Sequence, residues 1–175
     1  MPQDEADDGG GLLCPSAPAE SAGSVLIGVV SGTPGAPRVV PTAHAMPVTL
    51  EITELARPAS PGEVFRFASA CRTSGCVHFK QSACQIASRS AVLLDEVVEE
   101  LPRCPIRAQC RWFHQEGPSL CRRCPQIVTE QHRPTAEMLR IVNEDDPPAG
   151  FVPEGPGAGP GARTGSDPGP GLSAH

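Results

Sequence analysis

CRTSGCVHFKQSACQIASRSAVLLDEVVEELPRCPIRAQCRWFHQEGPSLCRRC, residues 71–124, carries seven of the chain's eight cysteines. They fall as Cys71-x4-Cys76-x7-Cys84 and, after nineteen residues, Cys104-x5-Cys110-x10-Cys121-x2-Cys124, with Pro125 next. Such density in a chain without an export signal points to metal ligation. Thiolates bind zinc and iron strongly, and four from one chain complete a tetrahedral site or a cubane cluster. The two-residue gap between Cys121 and Cys124 is the most specific signal, because it lets both sulfurs reach one centre.

The segment between the two groups sets the expected partition. Over about 84–101, Ile86, Leu93, Leu94, Val97, Val98 and Leu101 recur at three- and four-residue steps, which predicts the main helix. Pro102 and Pro105 end it. Its ends would lie about 25 Å apart, so Cys84 and Cys104 belong to different sites. Cys104, Cys110, Cys121 and Cys124 are then expected as a complete four-sulfur site. Cys71, Cys76 and Cys84 form a three-sulfur site whose fourth ligand is His78, water or an external group. An alternative folds the chain after Cys110 back along the helix, so that Cys121 and Cys124 join the first group. Cys14 reads as an unpaired thiol in the N-terminal tail.

Two chemistries suit these ligands. Cysteine followed by proline, as in Cys124-Pro125, is a feature of ferredoxin-type runs, although no gap here has the C-x2-C-x2-C spacing. The C-x2-C pair is equally a zinc-knuckle element. An iron–sulfur cluster, [4Fe–4S], is the leading expectation and zinc the alternative. Arg103, Arg107, Arg111, Arg122 and Arg123, against Glu116 alone, make residues 103–124 locally basic. Arg111, Arg122 and Arg123 are therefore candidates for contacts to an anionic thiolate site or to phosphate. His114 is a further candidate ligand, and Trp112-Phe113 a candidate packing pair over the site.

Outward from this stretch, the composition limits what else the chain holds. Of 175 residues, 39% are apolar and 3% aromatic, below the 45–50% apolar of average domains. That is too few large side chains to fill a core of this length, and it predicts one small domain stapled by metal. The formal charge of −6 belongs to the ends. Residues 64–142 hold eleven Arg/Lys against seven Asp/Glu, and the remainder holds three against thirteen.

Residues 1–23, with five acids and no base, read as a disordered tail. Residues 144–175 read as a second one, with seven Pro and eight Gly after position 146. The domain between them, 24–143, opens with a β-hairpin, Ser24–Val30 returning through Arg38–Val40. Met46–Ile52 is expected as a third strand, and prolines within these runs argue for edge positions. A short helix is expected over Thr135–Val142, with Pro134 at its start. The expected class is α+β: an N-terminal hairpin, one main helix and irregular cysteine-rich loops.

The start, MPQDEADD, lacks a basic run before an apolar core, and no apolar stretch approaches the roughly 20 residues of a membrane helix. The expectation is a cytoplasmic chain with reduced thiols and no membrane association. No phosphate loop or deaminase signature is present, and an enzymatic role is not favoured. The expected function is electron transfer or redox or oxygen sensing with a protein partner. The alternative is a zinc-stabilised module binding nucleic acid or protein through its arginines, with nucleic acid not favoured.

The run Arg107-Ala108-Gln109-Cys110-Arg111-Trp112-Phe113-His114-Gln115-Glu116-Gly117, followed by Cys121-Arg122-Arg123-Cys124-Pro125-Gln126-Ile127-Val128-Thr129, resembles a motif in small cysteine-rich bacterial proteins. Some of these carry the loose label of nitrogen fixation protein in cyanobacteria. The resemblance covers roughly residues 25–130 and is specific in its second half. It implies a bacterial origin and a cysteine-centred site, and it transfers no catalytic residues.

Overall fold

The fold is α+β, and its computed structural model describes residues 11–143. The expected tail 144–175 and residues 1–10 lie outside that range. A four-stranded antiparallel sheet has the order β1-β4-β2-β3, with β1 Leu13–Cys14, β2 Val25–Thr33, β3 Ala36–Pro47 and β4 Phe65–Ala70. Between β3 and β4 lie two short helices, α1 Leu50–Glu54 and α2 Pro61–Val64. The cysteine-rich half follows: a hairpin of β5 Phe79–Lys80 and β6 Ala83–Cys84, then α3 Gln85–Leu93, α4 Arg111–Arg123 and α5 Ala136–Val142.

The hairpin β2–β3 forms where its β-branched run predicts, with Val29 opposite Val40 and Val30 opposite Val39. β3 carries Pro37, Pro41 and Pro47 and occupies the sheet edge, where a missing N–H costs no ladder bond. A bulge at Ile27 interrupts both pairings of β2. The strand continues at Gly28, where a Cβ would stand 2.7 Å from Val39 Cγ1, so only glycine lets the strands close.

The two faces of the β2–β4 pair are both covered. Leu26, Phe65 and Phe67 bury with Ala19 and Ala56 on one side. Ile27 and Ala68 pack on the other side against Ala87, Leu94, Ile106, Trp112 and Leu120 of the cysteine-rich half. That second face positions the thiols.

Four expectations need correction. Residues 11–23 are not all tail: Leu13 and Cys14 pair with Ala70 and Ser69 of β4, and Ala17 and Ala19 are buried. Met46–Ile52 is not a separate third strand: Met46 and Pro47 end β3, and the chain then leaves the sheet. The Thr49 hydroxyl accepts the Ile52 N–H at 3.4 Å and caps α1 instead, a local bond that competes with a ladder.

The helix expected over 84–101 stops at Leu93. Asp95, Glu96, Glu99 and Glu100 would crowd its negative end. Arginines of α4 hold the extended chain instead: Arg123 Nε donates to Leu94 O at 2.6 Å, and Arg122 Nε to Glu99 O at 3.1 Å. Finally, of the second cysteine group only Cys104 lies in an irregular loop. Cys110 caps the start of α4, Cys121 lies within it and Cys124 ends it. Gly117, at φ 66° and ψ −153°, splits α4 before Pro118, a conformation open essentially to glycine alone.

Candidate metal centre

All eight cysteines are free thiols. Four of them, Cys104, Cys110, Cys121 and Cys124, line one small cavity of about 50 Å³ with Arg66, Arg107, Trp112 and Leu120. A single water needs only ~10–15 Å³ of such space, and interiors are otherwise close-packed. A hollow ringed by four thiols is therefore the feature of this face that packing leaves unexplained.

Burial dominates the acidity of these thiols. It pushes Cys110 up to about 12, with Cys124 and Cys104 adding to the rise and the backbone N–H groups of Phe113 and Trp112 opposing it. Burial also raises Cys104, which Cys124 reinforces while the Ile106 N–H, Arg107 and Arg66 pull the other way. Cys121 is raised by burial too, against a bond from Arg107 that favours its thiolate. The four sulfurs thus feel one another, and two guanidinium groups flank them.

Arg66 is the residue that sequence reasoning missed. It is 1% exposed, and its guanidinium donates to the carbonyls of Pro15 and Ile127 and, at 3.7 Å, to Cys124 Sγ. Its Cζ lies 5.2 Å from the Trp112 ring centroid. The available signal was a lone arginine between Phe65 and Phe67 in an apolar run. Arg107, the second flanking cation, also donates to Pro102 O.

The other predicted arginines lie elsewhere. Arg123 bonds Glu96 at 2.9 Å and the Ser119 carbonyl, and Arg122 lies 3.8 Å from Glu96. Both fasten the 94–99 segment rather than the thiols. Arg111 stacks 5.5 Å from the Phe79 ring centroid. His114 Nε2 meets Ala108 O at 2.8 Å.

A larger cavity of about 860 Å³ is lined by Cys71, Cys76 and Cys84, by His78 and Arg111, and also by Cys14. A nine-residue α3 spans only about 13 Å, so it does not by its length hold Cys84 apart from Cys104. The two groups are nonetheless distributed over different cavities. Cys14 is no tail thiol: burial pushes it up to about 11, and the nearby Cys84 and Cys71 thiols add to the rise. Its signal in the sequence was Cys14-Pro15, which repeats the Cys-Pro pairs at 104 and 124.

Cys84 ends β6 and caps α3. Gln115 of α4 clasps its backbone, Oε1 accepting the Cys84 N–H at 2.8 Å and Nε2 donating to its carbonyl at 3.0 Å. Burial raises the Cys84 thiol, while the Ala87 N–H and the Trp112 indole lower it. That indole N–H makes no hydrogen bond of ordinary length, so its influence is one of proximity.

Among the described residues, no three His, Cys, Asp or Glu side chains converge as a metal ion's ligands would. No described helix is long and apolar enough to cross a membrane. No protein-family model, curated protein or solved structure matches the chain.

Proposed function

We propose that Cys104, Cys110, Cys121 and Cys124 hold a [4Fe–4S] cluster, and that the protein serves in the cytoplasm as an electron carrier or redox sensor for a protein partner. The observation that carries this reading is the apolar hollow lined by those four sulfurs and flanked by Arg66 and Arg107. A cubane, whose ligands surround four irons, takes thiols placed around a hollow, whereas a single zinc ion draws all four sulfurs to one point.

When bound, a cubane supplies one-electron exchange. The chain's own residues do the rest. The thiols give up their protons on binding, so loading strengthens with rising pH. Arg66 and Arg107 offset the residual charge of about −2 on a cubane with four thiolates. Trp112, Leu120 and Ile27 keep water from the sulfurs, which strengthens those charge interactions.

The full chain purified anaerobically should be brown, with a visible absorption that dithionite bleaches. Cys121→Ala, at a half-buried sulfur, should lose at least half of the bound iron. A colourless, zinc-loaded protein, or full iron retention by Cys121→Ala, overturns the reading.

A further inference from the structure

The large cavity collects its sulfurs from three separate places in the fold. β4 runs out at Ala70 directly into Cys71, and β1 is zipped alongside: Cys14 pairs with Ser69, and the Cys71 N–H donates to Leu12 O at 2.9 Å. The hairpin β5–β6 then turns the chain back, with Cys84 opposite Phe79, and brings Cys84 onto the cavity wall that Cys14 and Cys71 also line. Cys76 closes the 3₁₀ turn Thr73–Gly75 on the way, its carbonyl accepting the Phe79 N–H at 3.0 Å.

His78, on the same wall, carries a buried Nδ1 without a hydrogen-bond partner.

We propose that Cys14, Cys71, Cys76 and Cys84 hold a second [4Fe–4S] cluster beside the first, making the protein a two-cluster electron relay. The inference rests on the cluster reading of the small cavity. Cys14 supplies the fourth sulfur that the 71–84 spacing lacks, so no external ligand is required.

The two sites adjoin. Leu13, next to Cys14, bridges to Cys110 of the small cavity, and the Trp112 side chain walls both. An electron entering at one set of sulfurs thus has the other set as its neighbour, with Trp112 on the wall of each cavity. The electron comes from a reduced protein partner and leaves to an oxidised one, with no bond made or broken in the chain.

The test is iron and acid-labile sulfide per chain after anaerobic reconstitution of the full-length protein with ferrous iron and sulfide. The wild type should take about eight of each and Cys14→Ala about four, the remainder disappearing when Cys121→Ala is added. If Cys14→Ala does not fold, Cys76→Ala, in a loop outside the sheet, should show the same halving. A wild type holding about four irons, with Cys14→Ala unchanged, overturns the second site and leaves the first standing. Retention of all the wild-type iron by Cys14→Ala or by Cys76→Ala also overturns it. An iron-free wild type overturns both sites.

Discussion

The small cavity takes its four thiols from one continuous stretch of 21 residues, Cys104 to Cys124, whereas the large one takes Cys14 from a strand 57 residues ahead of Cys71. In the small cavity, α4 sets three of the four sulfurs itself, with Cys110 at its start, Cys121 within it and Cys124 at its end. In the large cavity nothing local suffices. The site exists only once β1 has paired with β4 and Gln115 has clasped Cys84. One site is thus a property of a segment and the other of the completed fold, and the two should fail differently.

The largest difference should appear in the metal-free chain as pH rises. Burial moves Cys110 from an ordinary 9.0 to about 12 and Cys14 from 9.0 to about 11. Between those limits the unfolded chain has already released protons that the folded chain keeps, so folding stability falls as pH increases. The loss approaches an order of 4 kcal/mol for Cys110 and roughly 3 for Cys14. Denaturant midpoints should therefore hold from neutral pH to about 9 and drop as pH climbs from there towards 12. Cys110→Ala should recover more of the drop than Cys14→Ala, and a flat profile would break the contrast.

Arg66 joins the two regions, reaching Pro15 beside Cys14 and the Cys124 sulfur at once. Arg66→Met would leave the Pro15 and Ile127 carbonyls unpaired, at a cost of about 3 kcal/mol by chemical denaturation. A loss under about 1 kcal/mol would mean that water replaces the guanidinium. With both sites loaded, a chelator should strip the large cavity roughly tenfold faster than the small one, a barrier difference of ~1.4 kcal/mol. A single kinetic phase would contradict this order. Gln115→Ala should cost about 1–2 kcal/mol by removing both partners of the Cys84 backbone, and it should speed only the faster phase of iron release.

What the sequence disclosed follows the same division. The β2–β3 hairpin was legible because its β-branched run and Pro-Gly turn act locally, and so was the grouping of Cys104, Cys110, Cys121 and Cys124. β4 was not, because Phe65, Arg66, Phe67 and Ala68 are all buried. Covered on both faces, the strand shows no alternation of apolar and polar residues. α4 was hidden by Gly117-Pro118, residues that punctuate a pattern without ending the element. The apolar stripe that continued past Leu93 misled, since Leu94 serves the core from an extended backbone. Cys14 was the hardest to place. It lies in a two-residue strand within an acidic, glycine- and proline-bearing segment, and its pairing partners stand more than fifty positions away.

Mössbauer spectroscopy of iron-57-enriched Cys14→Ala protein isolates the claim on which the rest depends. The expected result is the diamagnetic signal of an oxidised cubane from about four irons per chain, all in sulfur surroundings, and its disappearance when Cys110 is also replaced by alanine. A sample with no cubane signal, or one that keeps it without Cys110, would contradict the assignment of Cys104, Cys110, Cys121 and Cys124 as one cluster's ligands.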